Sequence, residues 1–169
     1  GLGDVYKRQV LPPGKASRTG KEQGKVQDVN IYIETSFHGP ARKDGEYLYL
    51  LECIRNGAPA TREGRGAMER ATENQLALTA LAEALGRLNC PCELRIYTTC
   101  QHIINAMQNS WARQWQKNEW RNAKGTPVKN ADLWEKILQE LDPHRYLFTD
   151  EHHEYRQWMQ SEFRKGKIT

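Results

Sequence analysis

The amino-acid sequence predicts one α/β domain, a five-stranded mixed sheet flanked by helices. Three observations predict it. Runs of alternating β-branched and aromatic residues recur along the chain, and stretches with helical apolar spacing separate and follow them. The 169 residues, 38% of them hydrophobic, supply enough apolar surface for a single core.

The elements follow in order. Residues 10–28 open on Val10-Leu11-Pro12-Pro13-Gly14 and continue in Lys, Gly, Ser and Gln, with too little apolar surface to offset the entropy of ordering. Residues 1–28 are therefore expected to be a disordered lead, with the domain running over 29–169. Within the lead, Asp4-Val5-Tyr6-Lys7-Arg8-Gln9 resembles a translated sequencing-library adapter, so residues 1–9 are read as an assembly scar and given no function. From Val29 the alternation Val-Asn-Ile-Tyr-Ile-Glu marks a strand ending near Glu34. A second run, Glu46 to Ile54, follows Lys43-Asp44-Gly45, and the pair reads as a hairpin with its turn at 43–45. A third short strand is expected near 57–62, before a glycine-rich loop at Gly64-Arg65-Gly66.

Thr72 is a plausible N-cap, and Leu76, Ala80, Leu81, Ala84, Leu85 and Leu88 carry a helix to Asn89. Glu93 to Thr98 alternates as a fourth strand. Ile103, Ile104, Met107, Trp111 and Trp115 suit one or two helices within 100–122, and a basic loop follows. Asp132 to Leu141 reads as a helix, Tyr146 to Phe148 as a fifth strand, and Glu151 to Arg164 as a terminal helix.

Composition narrows the function classes. No window approaches the roughly 20 apolar residues of a membrane span, and the N-terminus has no signal-peptide core, so a soluble, cytoplasmic protein is expected. Cys53, Cys90, Cys92 and Cys100 lack a C-x-x-C spacing, and Cys90-Pro91-Cys92 is too short to clasp zinc; structural thiols are the reading. His152 and His153 are adjacent and would leave a helix on different faces, which fits a solvated or satisfied pair better than a metal site. The net charge of +4 divides into +3 for residues 1–28 and +1 for the rest, so bulk charge does not establish nucleic-acid binding.

Local patterning is more specific. Over 111–134 the chain sets Trp111, Trp115, Trp120 and Trp134 among Arg113, Lys117, Arg121, Lys124 and Lys129, against Glu119 and Asp132, a local net of +3. It closes on Pro127-Val128-Lys129-Asn130 and Asp132-Leu133-Trp134. These tryptophans and their intervals resemble the basic handle of type 1 ribonuclease H. Ile31-Tyr32, Thr72, Asn74, Ala80, Ile96-Tyr97-Thr98 and Gln101 extend the resemblance over nearly all of 29–165, and Asn74 to Gln101 aligns without a gap.

The resemblance implies the ribonuclease H-like fold and a defined chemistry. The family cleaves the RNA strand of RNA/DNA hybrids with two metal ions roughly 4 Å apart, and Mg²⁺ needs several converging carboxylates. Carried over residue by residue, the first-strand Asp becomes Glu34 and the Gly after it Thr35. The helix Glu becomes Ala77, the fourth-strand Asp-Ser becomes Thr99-Cys100, and the last Asp becomes Gln157, after Asp150-Glu151-His152 in place of the family's Gly-His element. One carboxylate of four remains. A catalytically silent module is expected, needing no cofactor, with Mg or Mn bound only if activity is residual.

Glu34 is then the one candidate metal ligand of the original set. Glu73, one helical turn before Ala77, and Glu154, three residues before Gln157, are the acids through which a site could be rebuilt. Each also has a simpler account as a solvated charge or, for Glu73, a first-turn acid.

For binding, the resemblance points to Ser36, Asn74 and Gln101 near the active site and to Arg113, Trp115, Lys117, Trp120, Arg121, Lys124 and Lys129 on the handle. Aromatics at helical spacing are as readily core, and two or three of the tryptophans are expected to pack the handle itself. The expected partner is an RNA/DNA hybrid or another A-form-like duplex, beside a reverse transcriptase or a mobile-element protein. Two alternatives stand: a weak or Mn-dependent ribonuclease H using Glu34 with Glu73 or Glu154, and a protein-binding scaffold of such a complex.

Overall fold

The computed structural model describes residues 26–165. Most of the expected lead, residues 1–25, and residues 166–169 lie outside the described residues. The first strand, β1 (Gln27–Thr35), begins two residues before the boundary read from the sequence. It pairs antiparallel with β2 (Lys43–Arg55), which pairs antiparallel with β3 (Ala58–Ala71). On its other side β1 pairs in parallel with β4 (Cys92–Tyr97), and β4 in parallel with β5 (Arg145–Thr149). The order is β3-β2-β1-β4-β5, a five-stranded mixed sheet with β1 at its centre.

Two boundaries differ from the sequence reading. Lys43-Asp44-Gly45 is the start of β2 rather than a turn: the Asp44 carboxylate accepts the Arg70 N–H at 2.9 Å, and a register irregularity between Lys43 and Gly45 absorbs the geometry. The chain reverses earlier, between Ser36 and Arg42, where Gly39 holds φ +105°. Gly64 and Gly66 do not form a loop either. They lie inside a 14-residue β3, opposite Tyr49 and Tyr47, whose rings cover them so closely that no Cβ would fit. Local composition reads these glycines as loop; the cross-strand tyrosines turn them into sheet.

Helix α1 (Glu73–Gly86) starts as the sequence predicts, with Thr72 and Gln75 forming a reciprocal capping box. It ends three residues before the expected Asn89. Leu76, Ala77, Leu78, Ala80, Leu81, Ala82, Ala84 and Leu85 are all buried, so the helix is apolar on nearly every side. It has to be: the sheet covers one side, and α4 (Ala131–Leu141), which buries Trp134, Ile137, Leu138 and Leu141, covers another. Between them in sequence come α2 (Gln101–Gln108) and α3 (Trp111–Lys117).

Among the described residues the other face of the sheet is covered by one helix, α5 (Arg156–Lys165), which packs Met159 and Phe163 on Tyr32, Leu48 and Leu50. The terminal helix thus starts at Arg156 and not at Glu151. The Tyr155 N–H donates to His153 Nδ1, holding 153–155 in a turn and changing the phase of every later side chain.

Beneath α5 lies Glu52, buried on β2 and accepting hydrogen bonds from Asn30 (3.0 Å), the Tyr32 hydroxyl (2.9 Å) and the Tyr155 hydroxyl. Burial pushes its pKa up, but the hydrogen bonds from Tyr155, Asn30 and Tyr32 outweigh burial and hold it below the ordinary carboxylate value. The same bond, aided by burial, pushes the Tyr155 hydroxyl up to about 12. A depressed acid stabilises the fold above its unfolded pKa and loses that contribution as pH falls through the folded one. A raised phenol stabilises below its unfolded pKa and loses that contribution as pH rises through about 12. Glu52→Gln is therefore expected to lower the melting temperature at neutral pH and to flatten its decline on acidification below about pH 5. Thermal melts across that range check it; an unchanged acid limb would show that other groups carry the dependence.

Candidate active site and nucleic-acid interface

The C-terminal ends of β1 and β4 lie side by side, since Tyr32 pairs with Tyr97 in parallel register. Two residues further along the chain from each come Glu34, still within β1, and Thr99, just past the end of β4. The Cys100 thiol, just past Thr99, donates to Asn74 Oδ1 at 3.3 Å and so ties the start of α1 to this end of the sheet.

Glu34 is 2% exposed. A carboxylate this deep requires donors on both oxygens. Gln160 Nε2 donates to Oε1 at 2.7 Å and also to the Thr35 carbonyl at 3.2 Å. Arg156 Nε lies 3.7 Å from the same Oε1. His153 Nε2 lies 3.2 Å from Oε2. Because His153 Nδ1 accepts the Tyr155 N–H, the ring proton belongs on Nε2, which donates to Glu34. All three partners come from the final turn and α5.

The other sequence-predicted positions are distributed around this centre. Ala77 is wholly buried in α1, Thr99 is half-buried, and Cys100 is buried, with its thiol pushed up to about 11 by burial. Gln157 is exposed, and the α5 residue that reaches Glu34 is Gln160, three residues later. His152 and His153 match the sequence reading of a solvated or satisfied pair: His152 is exposed, and His153 is buried with one ring nitrogen against Glu34 and the other accepting the Tyr155 N–H. Neither Gln160, Arg156 nor His153 carries a sequence signal that would have singled it out.

Glu73 is committed elsewhere, accepting from the Gly39 N–H at 3.1 Å and lying 3.0 Å from His38 Nδ1 on the β1–β2 connection. Glu154 is exposed. Ser36 Oγ accepts the Glu46 N–H at 2.9 Å, a structural bond that closes the β1–β2 connection. Gln101 Nε2 donates to Asp150 at 3.1 Å on the exposed rim.

A divalent cation pair would need several converging anionic oxygens. Here the one carboxylate already has donors on both oxygens, Ala77 brings no ligand atom, and no group of three or more His, Cys, Asp or Glu among the described residues could hold a metal ion. The residues present do not fit such a pair.

The tryptophan segment forms α3 and an ordered loop. Asn122 Oδ1 accepts the N–H groups of Lys124 and Thr126, and the Val128 N–H donates to the Trp120 carbonyl. Trp134 is fully buried, with its indole N–H toward His102 Nε2 at 3.4 Å and its ring edge-on to Trp115 at 5.9 Å. Trp115 stacks on His102, and Trp120 packs partly buried against the core. Only Trp111 stands out, 42% exposed. The tryptophans thus mainly hold the segment, including Trp115 and Trp120 of the binding candidates. Arg113 pairs with Asp142 at 3.2 Å, and Arg121 donates to the Gly125 carbonyl at 2.8 Å. Lys117, Lys124 and Lys129 are exposed and make no ion pair among the described residues.

A five-stranded sheet in the order 3-2-1-4-5, with an acid at the end of its central strand and helices on both faces, defines an α/β domain of the ribonuclease H class. The family model for RNase H matches residues 26–150, and the chain belongs to that family. The Ribonuclease H of Symbiobacterium thermophilum is 36% identical over 120 residues, covering 71% of this chain and 78% of the relative. Among solved structures, LC9-RNase H1, described as a type 1 RNase H with the type 2 active-site motif, superposes with a TM-score of 0.67 at 21% identity, covering 85% of this chain and 74% of that one. The foamy viral protease-reverse transcriptase in complex with RNA/DNA hybrid contains the same fold, with a TM-score of 0.60 at 12% identity over 82% of this chain and 19% of that one. Among the described residues no helix is long and apolar enough to cross a membrane.

Proposed function

We propose that this protein binds RNA/DNA hybrid, or a duplex of similar A-form shape, without hydrolysing it in Mg²⁺. One observation carries the reading: Glu34 is buried and closed over by Gln160, His153 and Arg156. Family membership supports the hybrid as ligand. Lys117, Lys124 and Lys129 supply the phosphate contacts, with Arg121 beside them; Arg113 contributes less because Asp142 already neutralises it. Trp111 offers the exposed ring, while Trp115 and Trp120 fix the segment that presents the lysines. Asn74 and Gln101, on the rim of the carboxylate centre, face the strand that a family enzyme would cut. No metal cofactor is required for this binding. The setting that suits it is a cytoplasmic reverse-transcriptase or mobile-element complex, in which a hybrid must be held and not degraded.

The relatives' shared name, Ribonuclease H, favours a second reading, a weak or Mn²⁺-dependent nuclease. Labelled hybrid incubated with the protein in Mg²⁺ and in Mn²⁺, with cleavage and binding followed across salt, separates the two. The expected result is an intact hybrid, bound with a salt dependence whose log–log slope falls by about 0.7–0.9 for each of Lys117, Lys124 and Lys129 changed to Ala. Cleavage that Glu34→Ala abolishes would establish the nuclease instead. Absence of binding even at low salt would leave a protein-binding scaffold.

A further inference from the structure

We infer that the centre at Glu34 is a backbone-phosphate site in which the Arg156 guanidinium, oriented by the buried Glu34 carboxylate, stands where the family places divalent metal. The inference rests on the hybrid-binding reading above and deepens it.

Its basis is the division of labour around Glu34. Gln160 and His153 each lie within hydrogen-bonding distance of a different carboxylate oxygen. Arg156 brings a permanent cation to the centre, with its side chain 36% exposed while that of Glu34 is 1% exposed. Its contact with Glu34 runs through Nε, at 3.7 Å. Neither Nη atom has a protein acceptor among the described residues. A guanidinium carries five N–H donors in a fixed plane, so one edge can rest on a carboxylate while the remaining donors engage a phosphate. Two acids at this end of the sheet are engaged elsewhere: Glu73 with His38 and Gly39, and Asp150 with Gln101. The half-buried Thr99 adds a hydroxyl beside the strand end.

A metal-bridged phosphate and an arginine-bridged phosphate differ in one observable respect. The first needs a divalent ion; the second does not. Glu34 acts here as a positioning residue. If it served charge balance alone, neutralising it would make the site more cationic and tighten binding. If it aims Arg156, neutralising it weakens binding despite the added positive charge.

The test is fluorescence anisotropy of the full chain with a labelled RNA/DNA hybrid at fixed ionic strength. Affinity is expected to be equal in EDTA and in Mg²⁺. Arg156→Gln is expected to weaken binding about tenfold and to reduce the salt slope by about 0.7–0.9, the share of one phosphate contact. Arg156→Lys should restore the slope, and Glu34→Gln should weaken binding. Each variant is compared by circular dichroism so that misfolding is seen directly. Arg156→Gln binding as wild type while Lys129→Ala weakens binding would overturn this site and leave the hybrid-binding reading intact. Mg²⁺-dependent tightening would overturn it equally. No binding by the wild-type protein would remove the hybrid-binding reading and this site together.

Discussion

Trp134→Ala is expected to destabilise the domain by about 3–5 kcal/mol, the range for truncating a fully buried large aromatic. For a domain of this size the melting temperature should fall by roughly 10–15 °C. Trp134 has no exposed surface and lies on α4, the helix that covers α1. Its removal leaves a cavity, takes away the edge contact to Trp115, and deprives His102 Nε2 of an indole donor; burial, which holds the His102 pKa down, keeps that ring an acceptor. The control is Trp111→Ala, which removes an exposed ring and should change stability by less than about 0.5 kcal/mol. Thermal melts of the two variants decide the matter. Equal shifts would mean that the tryptophan segment does not anchor through Trp134.

Returning acids to the centre should have the second large effect. Ala77→Glu/Thr99→Asp/Gln160→Asp, with Arg156→Gln added to remove the competing cation, puts new carboxylates on α1, just past the end of β4 and on α5. Without metal this variant is expected to lose about 3–5 kcal/mol, because Ala77 is wholly buried and a carboxylate there has no compensating partner. With Mg²⁺ at a hundred times its dissociation constant, about 2.7 kcal/mol should return through binding to the folded state alone. The wild-type protein should melt at the same temperature with and without Mg²⁺ at matched ionic strength. A variant that folds but shows no Mg²⁺-dependent rise would mean that these four positions do not form one site.

The legible parts of the sequence were those in which local chemistry and tertiary packing agree. Thr72 and Gln75 form a capping box because side chains three residues apart meet at a helix start whatever surrounds them. The alternation over Val29–Glu34 survives because one face of β1 packs on α1 and the other, through Tyr32, meets α5. Gly64 and Gly66 misled for the converse reason: their meaning comes from Tyr49 and Tyr47, some 15 to 20 residues away and opposite them only once β2 and β3 pair. Ala77 and Thr99 were placed near Glu34 through a resemblance read without gaps. The terminal helix was another matter. No local pattern in it marks Gln160 as the residue that donates to Glu34, because that contact forms only when the helix docks on the sheet.

The sequence by itself determined the family, the strand and helix order, and the presence of one acid at the end of the central strand, since each is written in contiguous residues. Only the tertiary structure decided what surrounds that acid. Glu34, Thr99, His153, Arg156 and Gln160 are brought to one place by the parallel pairing of β1 with β4 and the docking of α5. A buried carboxylate takes its chemistry from whichever donors reach it, and reach is a property of packing, not of sequence spacing.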